Sequence, residues 1–74
     1  MNYHDKEFKH IQKSVGNRLK EIREANHLTQ GELANKSDLH RNCISLLENG
    51  RQNITLLVLY KVTKALHINI KDLL

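Results

Sequence analysis

The sequence contains no proline, three glycines and one cysteine among its 74 residues. A multi-stranded β fold needs many turns, so the shortage of proline and glycine disfavours that class. A single cysteine excludes a disulfide-stapled scaffold and a cysteine-based zinc finger, and it is typical of a reducing, intracellular setting. The composition therefore favours a small helical protein.

Long apolar segments are also missing. The longest uninterrupted apolar run covers residues 56–60, far fewer than the roughly 20 residues of a membrane span. The first residues are polar and mixed in charge, unlike a secretory signal peptide. We therefore expect a cytoplasmic protein with no membrane partner, and a chain of this size favours one small domain over a large enzyme cleft.

The excess of positive charge is modest. Twelve Lys and Arg face eight Asp and Glu, for a net charge of +4. Such an excess is compatible with nucleic acid, because neutralised phosphates release their counterions. Residues 30–53, however, carry three basic and three acidic side chains. Charge alone therefore leaves the partner open, and the residue pattern must decide.

Apolar residues recur at helical spacing in the first third of the chain. Steps of three and four residues place side chains on one face of a helix. Asn26 and His27 are a suitable end for this helix. The predicted inward stripe is Phe8, Ile11, Val15, Leu19 and Ile22.

Two short helices are predicted in the centre of the chain. Thr29 and Glu32 have the spacing of a capping box, which starts a helix over residues 30–36. A second helix over residues 41–48 is stopped by the Asn-Gly pair that follows it. Two short helices joined by a three- or four-residue turn are the outline of a helix-turn-helix. The second helix would be about 12 Å long, comparable with the width of the DNA major groove.

Two further helices complete the prediction. Thr55 can cap a helix that runs to residue 66, and Asn69 can cap a final short helix. Together the elements make an all-α domain of five helices. The residues expected to face inward from the fourth helix are Leu56, Leu59, Val62, Ala65 and Leu66.

The central residues also resemble a known family. The run Leu-Thr-Gln-Gly-Glu-Leu-Ala at residues 28–34, and residues 39–50 ending Leu-Glu-Asn-Gly, resemble the lambda-repressor-like (phage repressor and Cro) DNA-binding family. Residues 19–23 and 62–74 match the family as well. The resemblance covers about residues 14–74.

Within this family, Arg-Asn-Cys-Ile-Ser at residues 41–45 and Asn-Ile-Thr at residues 53–55 are similar to the restriction-modification controller proteins. The resemblance implies a compact five-helix lambda-repressor-like domain over residues 11–74, with the helix-turn-helix at about residues 30–49. Residues 1–10 are expected to form an N-terminal extension that partly continues the first helix.

The outward face of the third helix supplies the candidate DNA contacts. Arginine is suited to guanine and asparagine to adenine in the major groove, so Arg41 and Asn42 are expected to read bases. The resemblance implies phosphate contacts for Gln30 and the residues after the third helix, and a structural ion pair between Arg23 and Glu48. The complete predicted DNA-binding set is Gln30, His40, Arg41, Asn42, Ser45, Leu46, Asn49, Arg51 and Asn53.

Four residues depart from the family pattern. Asp38 and His67 stand where the family usually has glycine, so the turn at Asp38 is expected to be strained. Gln52 occupies a position where controller proteins usually carry arginine, and Cys43 one where they often have an aromatic. These departures leave the predicted fold unchanged.

The C-terminal third has more apolar residues than one small core needs. Such an excess favours a self-complementary surface between two copies; the alternative is that some of them cover the first helix near Phe8 and Ile11. The predicted dimerisation residues are Leu57, Val58, Ile70, Leu73 and Leu74.

Patterns for other chemistry are weak or missing. The five histidines show no i, i+4 pair and no cysteine at ligand spacing, so no metal is expected. No phosphate-binding glycine loop, nucleophile motif or paired carboxylates occur, so we expect no enzyme, no cofactor and no small-molecule ligand. Cys43 is expected to be a packed or half-exposed thiol, with a redox role as the alternative.

The sequence thus predicts a DNA-binding transcription regulator that acts as a homodimer on a near-palindromic, double-stranded operator, by occluding or recruiting polymerase. A phage-type repressor or an antitoxin is an alternative in the same class. The alternative from another class is a protein-interaction module of the same fold, which the neutral charge of residues 30–53 would favour.

Overall fold

The structure is a computed structural model that describes residues 4–51 and 53–74. The side chains of His4 and Asp5 lie outside the described residues, as does Gln52, one of the four positions that depart from the family pattern. The helices are α1 (His4–Ala25), α2 (Gln30–Ser37), α3 (Arg41–Glu48) and α4 (Leu56–Leu66), followed by a 3-10 turn (Ile70–Leu73).

The all-α class is therefore correct, and the count of five helices is not confirmed, because the described residues form four α-helices and one 3-10 turn. The fifth element is a 3-10 turn of four residues, opened by a hydrogen bond from the Asn69 N–H to Asp72 Oδ2 (2.9 Å). Four residues are too few to sustain an α-helical ladder, and short pieces of helix commonly adopt the tighter 3-10 geometry.

Every element contributes to one core. α1 packs against α3, α2 lies against both α3 and α4, and the 3-10 turn joins α1 to α4. The largest fully buried side chains come from all five elements. The buried apolar residues are Val15, Leu19, Leu33, Ala34, Ile44, Leu47, Val62, Leu66 and Leu73.

Two parts of the predicted apolar stripes lie outside this core. Phe8 and Ile11 are 44% and 49% exposed. α1 is about 33 Å long, and among its described side chains Gln12 is the first that is buried. Leu56, predicted to face inward, is 74% exposed at the first position of α4. Helical spacing identifies a face, but it does not indicate where the partner surface ends.

The predicted caps are present. Thr29 Oγ1 accepts from the Glu32 N–H at 3.0 Å, and the Thr29 N–H donates to Glu32 Oε1 at 2.8 Å. The bond from the Thr29 backbone holds the pKa of the Glu32 carboxyl below its ordinary value. The bond to the Glu32 carboxylate therefore contributes its full stabilisation above the ordinary pKa of a glutamate, and this contribution is lost as the pH falls through the lowered pKa. Thr55 caps α4 in the same way, accepting from the Val58 N–H at 3.1 Å.

Three helices end on a residue other than glycine in the left-handed conformation. These residues are His27, Asp38 and His67, with φ between 56° and 58°. A side chain on Cβ makes this conformation costly, by roughly 1–2 kcal/mol per residue. Asp38, whose turn joins α2 to α3, is thus in the left-handed conformation that the sequence led us to expect.

We expect Asp38→Gly to raise the free energy of unfolding by about 0.5–1 kcal/mol, because glycine adopts this conformation without a steric penalty. The lost ion pair with Lys61 is long (3.9 Å) and its aspartate is fully exposed, so it offsets little. Urea unfolding measures the difference. The matched control is Asn35→Gly in the interior of α2, which should lower stability by about 0.3 kcal/mol, because asparagine is itself a weak helix former. A loss of stability in both variants would contradict the prediction.

Candidate nucleic-acid interface

The face of α3 that carries the candidate base contacts points to solvent. Ile44 and Leu47 are 0% and 4% exposed and hold the opposite face of the helix in the core. Arg41 and Asn42 are exposed and Ser45 is half-buried. Leu46, on the same outward side, is 40% exposed. The helix is thus anchored on one side and free to enter a groove on the other.

The start of α2 stands beside this face. A Cβ placed on Gly31 would lie 3.9 Å from Arg41 Cδ, so the arginine stem passes close to the first turn of α2. Gln30 is half-buried, and its Nε2 donates to Glu48 Oε1 at 3.1 Å. An amide nitrogen carries two hydrogens, so one donor of Gln30 remains for a phosphate.

A buried ion pair fixes the end of α3. Arg23 Nε donates to Glu48 Oε2 at 2.6 Å and Arg23 Nη2 to Glu48 Oε1 at 3.0 Å, a two-pronged pairing. Arg23 Nη1 also donates to the Leu28 carbonyl at 2.7 Å. The hydrogen bonds that Arg23 donates to the Glu48 carboxylate raise the pKa of its guanidinium. The ion pair that the resemblance implied is therefore present, and it joins α1, α3 and the segment before α2.

The segment after α3 is exposed and well braced. Asn49, Arg51 and Asn53 are exposed. Asn49 Nδ2 donates to the Ser45 carbonyl at 2.9 Å, so its amide caps its own helix. The Arg51 N–H donates to the Leu46 carbonyl at 2.9 Å, and Gly50 takes a φ of +69°. These bonds set the direction in which the Arg51 side chain leaves the domain.

His40 occupies the N-cap position of α3 in an extended conformation, with φ −75° and ψ 147°. Its side chain makes no capping hydrogen bond, and the residue is exposed. The imidazole is therefore placed beside Arg41 at the end of α3 where backbone N–H groups lack helical partners.

The apolar surface predicted for dimerisation is only partly available. Leu57 and Leu74 are 61% and 76% exposed, and Val58 and Ile70 are half-buried. Leu73 is 1% exposed and belongs to the core, so its assignment to a partner surface is corrected. The periodicity of a four-residue turn is too short to show which of its apolar residues faces inward.

The structure adds two exposed residues to this apolar surface. It also places one of the predicted dimerisation residues beside α1, as the alternative interpretation required. Leu56 and Tyr60, one turn apart on α4, are 74% and 53% exposed. Ile11 and Leu74 line one small surface cavity of about 260 Å³, so the C-terminal residue does lie beside α1. Leu57 remains open to solvent.

Other kinds of site have little support among the described residues. No group of three His, Cys, Asp or Glu side chains in that part of the chain could hold a metal ion. Cys43 is a half-buried free thiol packed against the core. None of the described helices is both long and apolar enough to span a bilayer.

Known proteins share this arrangement. The helix-turn-helix family matches residues 19–73. Control protein C.BamHI of Bacillus amyloliquefaciens is 40% identical over 60 residues, 80% of this chain and 74% of that protein. Control protein C.MunI of a Mycoplasma species is 39% identical over 59 residues, 78% of this chain and 80% of that protein. The crystal structure of the restriction-modification controller protein C.AhdI from Aeromonas hydrophila is 35% identical with a TM-score of 0.83, and the match covers 85% of this chain and 96% of that chain.

The structure and the comparisons indicate the same family. α3 is anchored in the core and exposes a polar face, and the helix-turn-helix family match covers most of the chain. The similar proteins are transcription regulators and controller proteins of comparable length. The chain belongs to the helix-turn-helix family of DNA-binding transcription regulators and is similar to the restriction-modification controller proteins within it.

Proposed function

We propose that the chain is a cytoplasmic regulator of the controller type that binds a near-palindromic operator as a homodimer. The observation that carries this proposal is the outward face of α3, where Arg41 and Asn42 are exposed while Ile44 and Leu47 hold the helix from behind. In this arrangement the helix can lie in the major groove with its polar residues at the base edges.

The proposed contacts divide into two kinds. Arg41 and Asn42 read base edges, since their side chains match the donor and acceptor patterns of guanine and adenine. Gln30, Arg51 and Asn53 border α3 and contact phosphates, which set the register without reading sequence. Affinity should therefore fall steeply with salt.

The proposed dimer forms through exposed and half-buried apolar residues of α4 and the C-terminal residues. One helix-turn-helix module buries too little surface for strong specificity, so two modules are needed. A two-fold dimer would present its α3 helices to major-groove faces about 34 Å apart. The residues of this surface are Leu56, Leu57, Val58, Tyr60, Ile70 and Leu74.

The direct test begins with selection of bound sequences from a random pool of duplex DNA. Recovery of an inverted repeat supports the operator and the two-fold symmetry. The spacing of its halves tests the proposed separation of the α3 helices. Failure to enrich any sequence would favour a protein-interaction module of the same fold.

On the selected duplex, Arg41→Ala should weaken binding by about 5- to 150-fold for each half-site, the equivalent of removing one good two-pronged base contact per protomer. Fluorescence anisotropy of labelled duplex measures the change, and single base-pair substitutions show which position loses its preference. Lys36→Ala is the matched control, because Lys36 lies in the last turn of α2, away from the α2 start that borders Arg41. Equal effects of both substitutions would contradict the proposed role of Arg41.

A further inference from the structure

A basic groove separates the N-terminal half of α1 from the segment after α3. Its volume is about 640 Å³. Its walls include Phe8, Lys9 and Lys13 from α1, and Asn49, Arg51 and Asn53 from the segment after α3. We refer to it as the α1 groove.

The α1 groove concentrates positive charge. Lys9 and Lys13 lie one turn apart on the same side of α1, and Arg51 faces them from the other wall. Among the described lining residues there is no carboxylate. Three like charges around one open cavity repel each other in the free protein, so a bound anion would be stabilised there.

The two walls of the groove are in close contact at Gly50. A Cβ placed on Gly50 would lie 3.1 Å from Lys13 Cα and 3.2 Å from Lys13 N, so the segment after α3 lies directly on α1. Arg51 follows Gly50, and its N–H is bonded to the Leu46 carbonyl. Lys13 and Arg51 therefore leave the domain from fixed neighbouring positions.

We infer that the α1 groove holds the phosphodiester backbone of the same DNA duplex that α3 reads, with Lys9, Lys13 and Arg51 around the phosphate. This inference rests on the proposed function. The groove is continuous with the α3 surface through Asn49 and Arg51, which favours duplex DNA over a free anion as its occupant. Phe8, 44% exposed on the groove wall, offers an apolar contact for a deoxyribose.

The lysines that α1 contributes lie before the segment that the helix-turn-helix family match covers. The family match begins at residue 19, whereas Lys9 and Lys13 lie before it. The N-terminal part of α1 would thus widen the footprint of each protomer on the DNA backbone.

The test compares Lys9→Ala/Lys13→Ala with the wild-type protein in the dependence of log K on log salt. We expect the slope to become shallower by about one for each phosphate that is no longer neutralised, counted in both protomers. Affinity at low salt should fall about tenfold, equally for the selected operator and for a random duplex, because phosphate contacts carry no sequence information. Lys9→Arg/Lys13→Arg keeps both positive charges and should therefore show the wild-type slope.

The matched control is Lys20→Ala/Lys36→Ala, which removes the same charge from exposed positions outside the α1 groove. An unchanged slope in Lys9→Ala/Lys13→Ala, or an equal change in the control pair, would overturn the inference.

If millimolar inorganic phosphate shifts the Lys9 and Lys13 amide resonances while duplex DNA does not, the groove binds a free anion and the inference is wrong. If the wild-type protein binds no duplex DNA, both the proposed function and this inference are wrong. If the wild-type protein binds DNA and the Lys9→Ala/Lys13→Ala substitutions do not change the salt dependence, only this inference is wrong. Thermal unfolding by circular dichroism verifies that both double variants are folded.

Discussion

Gly16→Ala is expected to lower the free energy of unfolding by about 2 kcal/mol. At Gly16, α1 crosses α3 so closely that an added Cβ would lie 2.2 Å from the Leu47 carbonyl oxygen and 2.9 Å from the Glu48 carbonyl oxygen. These are backbone atoms, so neither can turn aside as a flexible side chain would, and α1 must move away from α3. Overpacking of this kind costs typically 1–3 kcal/mol and occasionally more. The better helix propensity of alanine, about 1 kcal/mol, cannot offset it.

Urea unfolding of Gly16→Ala and Gly31→Ala separates packing from propensity. A Cβ on Gly31 would have its nearest neighbours at 3.9 Å, an ordinary van der Waals distance. Gly31→Ala should therefore gain stability, by about 0.5–1 kcal/mol. Equal changes in the free energy of unfolding of the two variants would show that the close crossing of α1 and α3 does not require glycine at residue 16.

Local signals in the sequence were sufficient to predict the ends of α2, α3 and α4 to within one residue. The capping box at Thr29 and Glu32, the cap at Thr55 and the left-handed turn at Asp38 depend on residues within a few positions of each other. Such interactions form within one turn of chain, so their spacing is visible without the fold. The outward face of α3 followed from the same periodicity, since Ile44 and Leu47 had to face inward.

Contacts between distant residues were not visible in the same way. Nothing near Gly16 in the sequence shows that α3 crosses there, and Lys13 becomes a neighbour of Gly50 only when α1 and α3 pack. The exposure of Phe8 has the same origin, because α1 extends past the residues that could cover it. The Arg23–Glu48 pair was accessible only through resemblance to a family, and the bond that Gln30 adds to it has no local signal in the sequence.

The Arg23–Glu48 pair carries the second large prediction. Glu48→Ala should lower the free energy of unfolding by about 3–5 kcal/mol, because it leaves the Arg23 guanidinium buried without its partner. The side chains of Arg23 and Glu48 are only 9% and 3% exposed, so water cannot replace the missing carboxylate. The remaining acidic neighbour, Glu24, lies 3.9 Å from Arg23 and is itself more than half exposed, and such a pair compensates little. Gln30 loses its acceptor in the same variant.

Replacing both partners separates two contributions to the free energy of unfolding: the cost of burying an unpaired guanidinium and the stabilisation that the ion pair itself provides. Arg23→Met/Glu48→Leu removes both charges and keeps apolar volume at the junction of α1 and α3, so most of the stability that Glu48→Ala removes should return. Urea unfolding of the single and double variants gives the coupling between the two residues. If the double variant is as unstable as Glu48→Ala, the guanidinium bond to the Leu28 carbonyl or the Gln30 bond holds the junction instead. The folded double variant also tests DNA binding. Its α3 keeps the outward face, but Gln30 is no longer oriented by a hydrogen bond to Glu48. Base preference on the selected operator should then persist while phosphate affinity declines, since only α3 reads sequence.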